Sequence, residues 1–164
     1  MIRGVCVRHI SENDWASIVA LEASAYTDSG LSEERDALES RARTSPATCF
    51  VLDTGQQIAG YLLALPYPMF HYPDLARVEE TSFDSHTLHL HDLVIASDFR
   101  RHGLAKHLLH HLAATARSRM YERISLIAVA GSDTFWSANG YNTHPEVSLP
   151  KSYGADAVYM SRAI

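Results

Sequence analysis

Apolar and polar positions sort most of this chain into short elements. Val5 and Val7 set against Cys6 and Arg8 predict a strand over residues 4–10. Ser11 or Asn13 then offers an N-cap with acidic neighbours, and Trp15, Ile18, Val19, Leu21 and Ala25 recur at helical spacing as far as the stop at residues 26–30. A second helix is expected after Ser32, running to about Thr44, where Pro46 bars continuation. Residues 48–53 and 58–65 read as two strands joined by the turn Thr54-Gly55-Gln56-Gln57. The stretch 65–73, LPYPMFHYP, has three prolines that remove ladder donors, and it predicts an irregular loop with much aromatic surface.

The strongest pattern lies in residues 87–112, TLHLHDLVIASDFRRHGLAKHLLHHL. It begins as a strand with Leu88, Leu90, Val94 and Ile95, turns through residues 96–99, and opens a helix near Gly103. Leu104, Leu108, Leu112 and Ala116 recur every four residues and define one buried face. The cluster His107, His110 and His111 falls mostly on the opposite, solvated side. Strict strand alternation would put His89, His91, Leu93 and Ile95 on one face and Leu90, Asp92 and Val94 on the other.

Beyond this unit, residues 124–129 predict a fifth strand, Ser132 or Asp133 caps a helix through Asn139, and Gly140 stops it. Further strands are expected near residues 144–149 and over 157–162. No repeat or linker divides the chain, so one domain over residues 1–164 is expected.

Composition narrows the classes. At 164 residues, with 46% hydrophobic and 20% charged, the chain can bury an adequate core. A net charge of −5 argues against a general nucleic-acid binder and is compatible with a cationic substrate. No run approaches the roughly 18–20 apolar residues of a membrane span, and the N-terminus, with Arg3 and Arg8, does not read as a signal peptide. A cytoplasmic protein with no membrane partner is expected, with Cys6 and Cys49 as reduced core thiols rather than a disulfide.

The turn at residues 100–106 carries candidate chemistry. The first N–H groups of a helix lack intrahelical acceptors, and the helix dipole makes that end partly positive. A phosphate can sit there if side chains do not screen the backbone. Gly103 and Ala105 keep the approach open, while Arg100, Arg101 and Lys106 add positive charge. The plainer reading is a helix that happens to begin with glycine.

Arg100-x-x-Gly103-x-Ala105 resembles the Arg/Gln-x-x-Gly-x-Gly/Ala signature of the GNAT superfamily of acyl-CoA-dependent N-acetyltransferases. Leu93-Val94-Ile95 looks like that family's fourth strand, and Phe135–Tyr141 like its late helix. The spacing His89-Leu90-His91-x-Leu93 followed by Phe99-Arg100 is similar to the arylalkylamine N-acetyltransferase branch. The resemblance implies an α/β (α+β) fold, a central mixed and mostly antiparallel twisted sheet of six or seven strands flanked by about four helices. It also implies acetyl-CoA as cosubstrate. The pyrophosphate would rest on backbone amides of Arg101, His102, Gly103, Leu104, Ala105 and Lys106, beside Arg100, and the pantetheine arm would run along Leu93, Val94 and Ile95.

By the same resemblance the loop after the third strand borders the acceptor, which makes Tyr67, Phe70, His71 and Tyr72 candidate walls of a small-molecule amine pocket. His89 and His91 become candidates for amine deprotonation through water, since neutral imidazole accepts a proton near neutral pH. His91 is the nearer base and His89 its relay in this reading, an order the sequence does not separate. A hydrogen-bonded core histidine is the competing reading for either.

One position departs from the family pattern. Trp136 stands where many members place a tyrosine that protonates the departing thiolate, and indole cannot take that role. Ser132 and Tyr153 are weak substitutes. The expected activity is acetyl transfer to a primary amine by direct attack on the thioester. A catalytically silent acyl-CoA-binding sensor is the alternative. A metal-dependent hydrolase built on His86, His89, His91 and Asp92 fits worse, because the ligand spacing is wrong and no metal is expected. A homodimer is left open.

Overall fold

The computed structural model describes residues 4–164. The elements follow in the order β1 (Cys6–His9), α1 (Trp15–Tyr26), α2 (Arg35–Thr44), β2 (Phe50–Asp53), β3 (Ile58–Pro66), β4 (Thr87–Ile95), α3 (Leu104–Ser118), β5 (Arg123–Ala128), α4 (Asp133–Ala138), β6 (Asn142–Thr143) and β7 (Val158–Ala163). The strands form one sheet in the order β1-β2-β3-β4-β5-β7-β6. Every neighbouring pair is antiparallel except β4 and β5. This single mixed α/β domain has the architecture expected from the sequence.

Two apolar layers sandwich the sheet. On one face the stripe of Leu104, Leu108, Leu112 and Ala116 on α3 meets Leu52, Leu62, Leu88, Leu90, Leu126 and Met160, with Trp136 of α4 alongside. Each fully buried leucine there contributes roughly 1.5–3 kcal/mol relative to exposure. On the other face Trp15 and Ile18 of α1 and Leu38 and Ala42 of α2 cover Val51, Tyr61, Leu63 and Val94. The central strand β3 is therefore apolar and buried along almost all of its length.

Several sequence expectations shift. Helix α2 begins at Arg35 rather than just after Ser32. The Glu22 carboxylate accepts from Ser32 Oγ at 2.5 Å and from the Glu33 N–H at 2.7 Å, which holds that segment outside the helix. The strand expected near residues 144–149 is reduced to Asn142–Thr143, because Pro145 has no N–H to continue a ladder. Cys49 is a core thiol as expected, pushed up to about 12 by burial, but Cys6 is exposed on β1 and is not.

Strict alternation also fails in β4. Leu63 pairs with Asp92 and Ala64 with Leu90, so His91 is the extra residue of a β-bulge. Leu88 and Leu90 before the bulge, and Leu93 and Ile95 after it, all pack on the α3 side. Asp92 and Val94 instead join the α1–α2 side, and His91 meets the α1–α2 loop and α2. The expected grouping of His89 and His91 with Leu93 and Ile95, opposite Asp92, is thus incorrect.

Strands β3 and β4 approach closely at Gly60. A Cβ there would stand 2.7 Å from the Val94 carbonyl oxygen and 2.9 Å from Ile95 Cδ1. Gly60→Ala is expected to lower the unfolding free energy by about 1–3 kcal/mol. Urea denaturation followed by tryptophan fluorescence tests this, and wild-type stability in the variant would mean that the strand pair yields without cost.

Candidate active site

Strand β4 pairs with β5 only at Thr87–His89 against Arg123–Ser125. Beyond that point the two strands separate, and β5 continues paired to β7 alone. A cleft of about 440 Å³ opens between them. One wall carries His89 through Ile95, the other Leu126, Ile127, Val129, Ala130 and Trp136, and Tyr26, Ser29, Leu31 and Glu33 close it from the α1–α2 side. His89 sits at the bottom of the fork, on the last paired position, with Nδ1 2.9 Å from Ser125 Oγ.

At the mouth, the first helical amide of α3 with a backbone acceptor belongs to His107, which donates to the Gly103 carbonyl at 3.1 Å. The amides of residues 101–106 have no backbone acceptor among the described residues. Gly103 has φ +74° with open space around its missing Cβ, and Arg101 also takes a left-handed conformation at φ +66°. These donors at a positive helix end form a cradle for an anion. Arg100 lines the cleft and donates Nε to the Ile95 carbonyl at 3.1 Å, and Ala105 lines it too. Lys106 turns instead to a separate groove beside Arg117 and Arg162.

The inner end of the cleft is charged and tightly bonded. Glu33 Oε2 lies 2.7 Å from His91 Nε2, and both side chains are almost fully buried. Burial raises the Glu33 carboxyl, but His91 and Arg41 more than offset this and hold it at about 2. The Arg41 guanidinium is buried between Glu33, at 2.5 Å, and Glu79. Tyr67 Oη donates to Glu79 at 2.6 Å. Asp92 accepts from Tyr26 Oη at 2.7 Å and Tyr61 Oη at 2.5 Å.

No buried side-chain nitrogen or oxygen among the described residues lacks a partner. His91 Nδ1 and His89 Nε2 make no hydrogen bond to another group among the described residues, and both histidines line the cleft. Burial first, then the nearby His91 and Arg41, press the His89 pKa well below the usual histidine value. His89 is therefore neutral at pH 7.

None of Tyr67, Phe70, His71 and Tyr72 lines this cleft. Tyr67 lies behind it with its ring 6.0 Å from that of His89. Phe70 is half-exposed and packs on His144 and Tyr159, His71 is exposed, and Tyr72 stands edge-on to Tyr153. Of the other cofactor candidates, Leu93, Val94, Ile95, Arg100 and Ala105 line the cleft. Sequence reading missed Glu33, Arg41, Ser125 and the two tyrosines on Asp92, whose partners lie 31 to 66 residues away.

Comparison with known proteins places this geometry. The sequence profile of the Acetyltransferase (GNAT) family matches residues 15–141. The chain belongs to that family. Its fold is similar to the loading GNATL domain of CurA from Lyngbya majuscula, with a TM-score of 0.79, 15% identity and 97% of each chain covered. It is also similar to Ard1 from Thermoplasma volcanium, at 0.75, 15% and 98% of each chain. N-acetylglutamate synthase from Neisseria gonorrhoeae, complexed with coenzyme A and N-acetyl-glutamate, matches at 0.73 and 17% identity, over 99% of this chain and 36% of that one. No curated protein matches the sequence significantly.

Within this GNAT fold, Trp136 is buried against Tyr141 and lines the cleft. Tyr153 also lines it, but its hydroxyl donates to the Pro73 carbonyl, and burial raises its pKa beyond the usual tyrosine range. Ser132 Oγ accepts from the Val129 N–H at 3.2 Å.

Burial raises the Asp92 carboxyl from 3.8 to about 6, with His91 and the two tyrosines only partly offsetting it. The native state then binds this proton more tightly than the unfolded chain, so stability falls as pH rises from about 4 to 6 and levels off above. Two pKa units correspond to about 3 kcal/mol. The stability of Asp92→Asn relative to wild type is expected to rise by about that amount between pH 4 and 6 and stay constant from 6.5 to 8. Urea titrations of both proteins across this range check it, and a pH-independent difference would refute the assignment.

Proposed function

We propose that this GNAT protein is an acetyl-CoA-dependent N-acetyltransferase that acts on a primary amine of a small molecule. The observation that carries the reading is a single cleft with two ends. Unpaired amides of residues 101–106 lie at its mouth, and two histidines, each with one ring nitrogen that no described group bonds, lie at its base.

The residues present fit acetyl-CoA. An anion-binding cradle opens α3, and the β4 edge from Leu90 to Ile95, left unpaired by β5, offers main-chain groups to an extended arm. Bound there, acetyl-CoA supplies an activated thioester carbonyl. The amides of residues 101–106 and Arg100 hold the diphosphate end. Leu93, Val94 and Ile95 align the chain towards His89 and His91. Leu126, Trp136 and Leu90 exclude water around the reacting atoms. Holding amine and carbonyl together in this way can be worth roughly 7–11 kcal/mol.

An ammonium group must lose a proton before its nitrogen can attack. His91 Nδ1 takes up that proton, directly or through a water in the cleft, and His89 relays it onward. The strongly depressed basicity of His89 suits a relay that passes a proton on, and leaves His91 as the group that receives it. The Glu33 and Asp92 carboxylates at the base favour a cationic amine over an anion.

The test is acetyl-CoA-dependent thiol release across arylalkylamines, polyamines and amino acids. Turnover is expected with one amine class, and His91→Ala should lower kcat by roughly 10²–10⁴-fold while the acetyl-CoA Kd stays within about twofold. Saturable acetyl-CoA binding with no turnover on any amine would favour the silent sensor instead.

A further inference from the structure

The bonds around His91 carry more than a base in a cleft. Its Nε2 is 2.7 Å from Glu33 Oε2 and 3.1 Å from Arg41 Nε. A carboxylate only accepts and a guanidinium only donates, so these two contacts cannot both be hydrogen bonds of one nitrogen. A bare Nε2 would oppose its lone pair to the Glu33 carboxylate, which the Arg41 guanidinium keeps ionised. Nε2 must carry the proton, and Arg41 Nε then bonds Glu33 Oε1 at 3.2 Å.

We propose that Glu33 is a positioning residue for the acyl-transfer reaction, fixing His91 as the Nε2–H tautomer and turning its bare Nδ1 to the substrate. In the step itself an N–H bond of the ammonium breaks and the Nδ1–H bond forms. The freed electron pair stays on the amine nitrogen for attack, and Glu33 stabilises the resulting imidazolium until the proton leaves to solvent. This rests on the N-acetyltransferase reading above.

The placement of Glu33 is heavily determined. Its backbone N–H is held by Glu22 of α1 at 2.7 Å, and its Oε1 by Arg41 of α2 at 2.5 Å. Arg41 in turn binds Glu79 and the Asp74 carbonyl from the loop after β3. The groups around His91 are thus Glu22 on α1, Glu33, Arg41 on α2, Glu79 with its partner Tyr67, and His89 and Asp92 on β4. Among them Glu33 is the acid bonded to the imidazole.

The experiment is ¹⁵N-histidine NMR of the full chain, with the His91 signals assigned by their loss in His91→Gln, alongside steady-state kinetics of Glu33→Gln. In the wild type Nε2 should be protonated and Nδ1 bare. In Glu33→Gln, which can both accept and donate, the tautomers should mix. Its kcat should fall at least tenfold, by no more than the roughly 10²–10⁴-fold a general base supplies, while KM for acetyl-CoA changes less than about twofold. A merely structural glutamate would move KM and leave the tautomer alone.

The proposal is overturned if wild-type His91 carries its proton on Nδ1, a result readable even if Glu33→Gln does not fold. It is equally overturned if Glu33→Gln keeps both tautomer and kcat. A wild-type chain that binds acetyl-CoA but acetylates no amine overturns the functional reading and the catalytic half of this one. The tautomer comparison then decides alone whether Glu33 orients His91.

Discussion

One extra residue in β4 decides which groups can share the cleft. Without the bulge at His91, Asp92 would fall on the α3 side and Leu93 would face α1 and α2. The apolar surface that packs on α3 and the polar surface that meets Glu33 and Arg41 would each be interrupted. With the bulge, Leu88, Leu90, Leu93 and Ile95 stay on the α3 face, while His89, His91 and Asp92 stay together on the other. A bulge also bends its strand and sharpens the twist. It lies two residues past the point where β4 and β5 cease to pair, so the same stretch of β4 both turns out the histidines and borders the opening.

That arrangement requires charge in the interior, and Arg41 sets its terms. A guanidinium does not deprotonate in a protein, so full burial obliges it to find carboxylates. It finds Glu33 before α2 and Glu79 in the loop after β3, and thereby ties both segments to the base of the cleft. Such a cluster is weak evidence for stability, because desolvation cancels much of the attraction. Its clearer consequence is geometric. Glu33 arrives at His91 from a loop, and a loop residue without Arg41 and Glu22 would hold an imidazole loosely. Removing one partner would leave another charge buried and unpaired, which is the costly case.

Local patterns and tertiary constraints were unequally visible in the sequence. The α3 stripe and the apolar β3 are periodic signals, and they found their places. The open amides at the turn with Gly103 and Ala105 were readable because backbone exposure is what small residues advertise. The face assignment of β4 was not readable, since a bulge is fixed by the partner strand and leaves His-Leu-His-Asp-Leu looking like plain alternation. Glu33 carried no signal as a site residue because its partners, Arg41 and His91, lie 8 and 58 residues away. The aromatic loop misled for a related reason. Tyr67 supplies a buried hydroxyl to Glu79, and nothing in LPYPMFHYP distinguishes a residue supporting the site from one lining it.

The lack of a tyrosine at Trp136 weighs less against catalysis than the family pattern suggests. An alkyl amine resembles a lysine side chain, with a pKa near ~10.4, and releasing its proton at pH 7 costs about 4–5 kcal/mol. An alkyl thiol resembles cysteine, near ~8.5, so protonating the departing sulfur at pH 7 gains only about 2 kcal/mol. The proposed acid–base groups would then stand where the larger demand lies. On the proposed reading Glu33, His91 and His89 serve the amine, while Trp136 offers the thiol no acid and the Tyr153 hydroxyl is committed to the Pro73 carbonyl. On that reading a thiolate released in the cleft can collect its proton from water. The site therefore needs an efficient base far more than it needs an acid.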